Sequence, residues 1–269
     1  MRGDSLNILE MDDVTIETEN GKINLVEKAN LEVEKGKITC IVGESGSGKT
    51  MTAMSIIRML PKGVRVKTGE ILFNGENIFH FSKDKLRAFR GKKVFSIFQN
   101  SINCFNPSII MEKQIYNMVS SHYKIDKEIF RDKLINIMHH INLKNPEVIL
   151  KQYPFQLSGG MLQRMMIAAA IIMEPDMIIA DEPTTALDLT SQKDILNQLK
   201  IIKRELNTTI LMITHDFGVV AEIADNVVIM HNGKIIEKGN VYDVFDNPKQ
   251  QYTKTLINAT FKREVISIC

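Results

Sequence analysis

Apolar residues fall largely on alternate positions through residues 7–35, at Ile8, Val14, Ile16, Ile23, Leu25, Leu31 and Val33. That period of two predicts strands buried on one face, and Asn20-Gly21 predicts the turn of a hairpin. Ile38-Thr39-Cys40-Ile41-Val42 then breaks the alternation. A short continuous run of this kind predicts a strand covered on both faces. A glycine-rich turn over 43–48 leads into a predicted helix over 49–60, stopped by Pro61.

The same logic returns in the second half. Met177-Ile178-Ile179-Ala180 predicts a buried strand that ends in two acids, Asp181 and Glu182. Ile195, Leu199, Ile202 and Leu206 mark one face of a helix. Residues 209–213 predict another buried strand, ending at Thr214-His215-Asp216, and 227–237 predict a closing hairpin around Asn232-Gly233. Between these halves, residues 103–173 lack strand character. Phe130, Leu134, Met138 and Ile141 line one helical face, and 164–174 predict a helix ended by Pro175, so the stretch reads as a helical insertion. From Pro248 onward no clear period is present, which predicts a short tail. Short buried strands alternating with helices predict an α/β fold built on a mixed or mainly parallel core sheet, with an antiparallel β region at its N-terminal end.

Composition narrows the function classes. With 44% hydrophobic and 25% charged residues in 269, the chain is of globular type and wholesale disorder is excluded. A net charge of +2 is too small to attract a polyanion in bulk, so no nucleic-acid partner is expected. Cys40, Cys104 and Cys269 form no CxxC pair, which fits a reducing compartment and argues against a thiolate metal site. The longest apolar run, 165–173, falls far short of the ~20 residues that cross a bilayer, and the first residues lack the apolar core of a secretory signal. The expectation is a cytoplasmic chain whose membrane role, if it has one, runs through partners.

The chemistry concentrates in three places. Gly43-Glu44-Ser45-Gly46-Ser47-Gly48-Lys49-Thr50 matches GxxxxGK[ST] between a predicted strand and a predicted helix, the context this motif requires. Glycines let backbone N–H groups turn inward onto phosphate oxygens, and the helix that follows adds its positive end. Lys49 can then reach the β- and γ-phosphates, and the Thr50 hydroxyl can ligate Mg2+. Asp181 and Glu182 close a buried strand, and ligands of open parallel sheets bind beyond the strands' carboxyl ends. There Asp181 suits a metal contact through water and Glu182 suits a general base. Leu157-Ser158-Gly159-Gly160-Met161 precedes a helix, with Ser158 fit to cap it and free N–H groups beside it. His139-His140 are helix neighbours that point apart, and Met161, Met165, Met166 and Met173 read as core packing.

The order of these motifs resembles the nucleotide-binding subunit of an ABC transporter. The phosphate loop comes first, then Phe98-Gln99 after Val94-Phe95-Ser96-Ile97, then LSGGM-LQR, MIIADE, Ala186-Leu187-Asp188 and Thr214-His215-Asp216. The resemblance implies an ATP-hydrolysing P-loop cassette over 1–247, with a helical subdomain at about 103–173 and a short C-terminal tail over 248–269. It implies a head-to-tail dimer in which each ATP lies between the phosphate loop of one subunit and Ser158-Gly159-Gly160 of its partner. Gln99 then senses Mg2+ and the lytic water, Asp188 makes the cross-dimer contact, and His215 contacts the γ-phosphate.

A narrower resemblance runs to the dipeptide, oligopeptide and nickel importer ATPases. Residues 98–107 look like their FQDPMTSLNP stretch, and Asn247-Pro248-Lys249-Gln250-Gln251-Tyr252-Thr253-Lys254-Thr255-Leu256 looks like their NPxHPYTxxLL segment. It implies an importer motor at the cytoplasmic face of the membrane, paired with a second ABC ATPase, by preference a paralogue. It further implies two transmembrane permeases and, indirectly, an extracytoplasmic solute-binding protein. The chain lacks the longer cysteine-bearing tail of many peptide importers, which leans toward the nickel or metal-chelate branch. Two alternatives stand beside this reading: a soluble, non-transport ABC ATPase, and a degenerate cassette that holds ATP with little turnover. One departure concerns adenine. The family stacks it on an aromatic residue of the first strands, yet no Phe, Tyr or Trp precedes Phe73, and Ile16 is read at that position.

Overall fold

The computed structural model describes residues 6–98, 104–185 and 188–266, with the backbone alone over 260–266. Its strands are β1 (Asn7–Thr18), β2 (Asn24–Glu34), β3 (Ile38–Val42), β4 (Val64–Phe73), β5 (Glu76–Asn77), β6 (Val94–Ile97), β7 (Met177–Asp181), β8 (Thr209–Thr214), β9 (Asn226–His231) and β10 (Lys234–Asn240). Its helices are α1 (Lys49–Ile56), α2 (Lys83–Ala88), α3 (Met111–Ser120), α4 (Lys127–His140), α5 (Pro146–Lys151), α6 (Gly159–Met173), α7 (Leu189–Leu206), α8 (Phe217–Ile223), α9 (Val241–Asp246) and α10 (Gln251–Ile266). The backbone divides into two units. One joins Met1–Leu86 with Thr209–Cys269, and the other is the contiguous Arg87–Thr208.

The discontinuous unit carries an antiparallel sheet in the order β2-β1-β4-β5. Ile8, Val14 and Ile16 of β1 are buried in it, as the alternation predicts. Leu9 and Met11, on the opposite parity, are buried because the register shifts between Met11 and Val14, and Ile23 is exposed instead. The alternation breaks at Thr15 and Glu17, which are buried too. Glu17 is tolerated there because Arg65 and Lys67 of β4 each reach it at 2.9 Å. These bonds, that from Lys67 foremost, hold its carboxyl below the usual carboxylate range. Strand β4 escapes the hydrophobic pattern because most of it faces solvent; Ile71 and Phe73 are its buried side chains.

In the same unit β3 lies parallel to both β8 and β9, and β10 pairs antiparallel with β9. All five residues of β3 and all six of β8 are buried, which is what continuous apolar runs in a parallel sheet require. The β9–β10 turn uses Asn232 at φ 48° and Gly233 at φ 77°, the two left-handed positions of a tight hairpin. Helix α1 ends four residues before the position the pattern predicts. The tail expected from Pro248 is instead largely helix α10. Its period is faint because the buried side chains of its described part are Thr253 and Ile257, four residues apart and only one of them apolar.

In the contiguous unit β6 and β7 pair in parallel, with Ser96 opposite Ile179. Helices α3 to α6 occupy the stretch read as a helical insertion. Asp126 caps α4 by accepting from the N–H groups of Glu128 (2.8 Å) and Ile129 (3.3 Å). Phe130, Leu134 and Met138 are fully buried on its inner face, with Tyr116 edge-on to Phe130 at 5.2 Å. Helix α6 is buried nearly all round, and Met165, Met166 and Met173 are core side chains there. Met161, next to the cap, is half-buried. No helix among the described residues is long and apolar enough to cross a membrane.

Candidate functional site

The phosphate loop is delivered by β3 and ends in α1. Gly43 is buried against β9: a Cβ there would stand 2.1 Å from the Met230 carbonyl oxygen, so no side chain fits. Gly48 caps α1 in the left-handed region at φ 103°, where a Cβ would meet the Leu25 carbonyl oxygen at 2.9 Å. The loop closes on itself through the Ser47 N–H, which donates to the Glu44 carbonyl at 3.2 Å. The β9–β10 turn braces it, the Gly233 N–H donating to the Ser47 carbonyl at 3.1 Å. Lys49 is buried, and its Nζ donates to the carbonyls of Gly43 (2.7 Å) and Glu44 (2.8 Å). The Ser47 hydroxyl is buried and has no hydrogen-bond partner among the described residues. A cation curled over the loop and an unsatisfied hydroxyl inside it are what a cradle for oxyanions presents.

His215 follows β8 and is exposed. Its neighbour Asp216 fixes that turn, accepting from Gly218 N–H (2.8 Å) and Val219 N–H (3.3 Å) at the start of α8. Asp216 N–H in turn donates to the Thr214 hydroxyl at 3.0 Å.

The acids belong to the other unit. Asp181 is buried as the last residue of β7. Glu182, half-buried, takes φ 46°, a left-handed conformation that costs a non-glycine residue energy. Its Oε2 accepts from the Thr185 hydroxyl at 2.8 Å, and its carbonyl accepts from the Thr185 N–H at 3.2 Å. The turn thus holds the carboxylate in one orientation.

Ser158 caps α6, its Oγ accepting from the Met161 N–H at 3.3 Å. Ser158 and Gly159 are exposed and Gly160 is half-exposed, and a Cβ on either glycine would have no described atom within 4 Å. Packing among the described residues therefore does not require glycine at 159 or 160. Asp188 caps α7, accepting from Ser191 N–H (2.9 Å) and Ser191 Oγ (2.7 Å), and these bonds hold its carboxyl below its usual range. Gln99, Ala186 and Leu187 lie outside the described residues.

Ile16 does not offer a surface to adenine. It is fully buried in β1, opposite Val26 on one side and Val66 on the other. The alternation that placed it in a strand also places it on the inward face. Sequence reasoning also missed the supports of the loop. Met230 and Gly233 carried a hairpin signal at Asn232-Gly233, but nothing local tied that hairpin to residues 43–48.

The family model for the ABC transporter matches residues 26–185. The oligopeptide transport ATP-binding protein OppD of Bacillus subtilis is 39% identical over 253 residues, which cover 93% of this chain and 71% of the relative. The metal-staphylopine import system ATP-binding protein CntD of Staphylococcus aureus is 41% identical over 238 residues, 88% of each chain. Among solved structures, cbiO1 of Clostridium perfringens, part of the ABC transporter complex cbiONQ, matches with a TM-score of 0.78 at 25% identity. That match covers 96% of this chain and 97% of the other. With a family match that runs from the second strand past the acid pair, and relatives near 40% identity along most of its length, this chain belongs to the ABC transporter family.

Proposed function

We propose that this chain binds and hydrolyses ATP as the motor subunit of an ABC importer whose cargo is a peptide or a metal chelate. The observation that carries the reading is the loop itself, with Lys49 Nζ on two loop carbonyls and the buried Ser47 hydroxyl unsatisfied. An arriving triphosphate gives both groups a stronger, charged partner. The cargo class rests on the relatives, whose names speak of oligopeptide transport and of metal-staphylopine import.

Thr50, Asp181 and Gln99 would hold Mg2+, because hydroxyl, carboxylate and amide oxygens are the hard donors this ion accepts. The chemistry such an ion would supply there is neutralisation of charge on the phosphates. Glu182 accepts a proton from the attacking water, and the Thr185 contact keeps its carboxylate from turning away. His215 contacts the γ-phosphate. Ser158, Gly159, Gly160 and Asp188 face the nucleotide of a partner cassette in a head-to-tail dimer. The open space over the two glycines supports that role, since it leaves room for a ligand that the chain does not itself supply. The dimer, by preference with a paralogous ATPase, works at the cytoplasmic face of the membrane. There it serves two permeases and, through them, a solute-binding protein.

Two variants test the chemistry. Glu182→Gln keeps the shape of the side chain and removes the base, so Mg-ATP binding stays within about threefold of wild type while phosphate release falls by at least about 100-fold. Lys49→Ala loses nucleotide affinity itself. Turnover by Glu182→Gln near the wild-type rate in the assembled transporter sinks the base assignment. Wild-type chain that binds ATP tightly but releases no phosphate in that complex points instead to the degenerate cassette.

A further inference from the structure

Residues 247–256 carry a motif for which the hydrolytic reading has no use, and the structure brings them to the phosphate loop. Glu237, buried on β10, accepts from the N–H groups of Lys249 (2.7 Å) and Gln250 (3.1 Å) and from the Thr253 hydroxyl (2.6 Å). One carboxylate thus fixes the entry into α10. The first turn of that helix then sets Tyr252 against the loop. The Glu44 N–H donates to the Tyr252 hydroxyl at 3.3 Å. The Tyr252 ring packs on His231 with centroids 3.9 Å apart. His231 ends β9 and adjoins Met230, whose carbonyl walls Gly43.

We propose that α10 is a strut for the phosphate loop, in which Tyr252 positions the Glu44 peptide for nucleotide and Glu237 positions Tyr252. The proposal rests on the reading of residues 43–50 as the ATP site. The backbone of Glu44 is held on both sides in this structure, its carbonyl by Lys49 and its N–H by Tyr252. When Lys49 turns to phosphate, the carbonyl loses that tether. The tyrosine hydroxyl, on the Glu44 N–H, and the Ser47 N–H, on the Glu44 carbonyl, then keep the Glu44 backbone in place. Tyr252 is a positioning residue here: it acts on the loop and reaches nucleotide only through it.

The test uses the full chain with its partner subunits, MgATP as the probe, and steady-state hydrolysis beside equilibrium binding. Tyr252→Phe keeps the ring on His231 and deletes the acceptor of the Glu44 N–H. Its KM and Kd for ATP rise about three- to tenfold, with kcat within about twofold and Tm within about 2 °C of wild type. Glu237→Ala shifts KM the same way, and the double variant is no worse than the poorer single one, because both act on one element. Wild-type KM in Tyr252→Phe, with nucleotide binding abolished in Lys49→Ala, overturns the strut and leaves the ATP site standing. Wild-type affinity in Lys49→Ala overturns the site, and the strut with it. A fall in Tm of more than about 5 °C in Tyr252→Phe marks the tyrosine as general packing and also overturns the strut.

Discussion

Single atoms decide several positions. At Gly43 the obstacle to any side chain is a main-chain oxygen, 2.1 Å from where Cβ would stand. Gly43→Ala therefore displaces β9 or the loop, and it lowers stability by about 2 kcal/mol or more in a urea titration while abolishing nucleotide binding. Ile16 is decided by burial. Placing Tyr there over-fills a closed core, so Ile16→Tyr costs about 1–3 kcal/mol of stability and leaves ATP affinity no tighter than wild type. Fluorescence titration with ATP, run beside thermal melts, separates the two effects. The loop was legible from sequence because GxxxxGK[ST] is a local pattern, although the walls that demand its glycines, at Leu25 and Met230, lie outside it. The alternation pointed Ile16 inward, but that its flanks leave no surface for adenine was not legible, because that depends on Val26 and Val66 on neighbouring strands.

Elements add what isolated residues lack. Helix α6 begins at two glycines whose absent side chains meet no described atom, so packing among the described residues gives no reason for either. Alanine is the better helix former, by up to about 1 kcal/mol in a helix interior. Gly160→Ala should hold or raise the melting temperature and yet reduce hydrolysis in the assembled dimer. Unchanged turnover would remove Gly160 from the proposed partner-facing site. Asp126 is the opposite case, a cap far in sequence from any assigned chemistry. Asp126→Ala should cost about 0.5–2 kcal/mol and leave the KM for ATP unaltered. Buried strands such as β3, β7 and β8 announced themselves as apolar runs. Strand β4 and helix α10 did not, one because most of it is wet and the other because a carboxylate 12 to 16 residues upstream pins its start.

Across the whole molecule two buried carboxylates give stability a pH dependence. Lys67 and Arg65 hold Glu17 below its usual value of 4.5. At Glu237 burial pushes upward but is outweighed by the Lys249 N–H, the Thr253 hydroxyl and the Gln250 N–H, so its carboxyl is also lowered from 4.5. Each folded value lies below the unfolded one, so the stabilisation is complete above about pH 4.5 and drains away as pH falls through the folded values. Glu237→Gln should be less stable near neutrality and show a flatter acid limb, measured by urea midpoints from pH 7 to pH 3. The division into a contiguous and a discontinuous unit has a further consequence, for synthesis. Strand β3 leaves the ribosome early, yet its parallel neighbours are β8 and β9, and the Ile38 N–H bonds Asp225, 187 residues later. A nascent chain therefore carries its phosphate loop unbraced until β8 and β9 have been made. The loop gains its wall at Met230 and its brace at Gly233 only once β9 and the turn after it have been made.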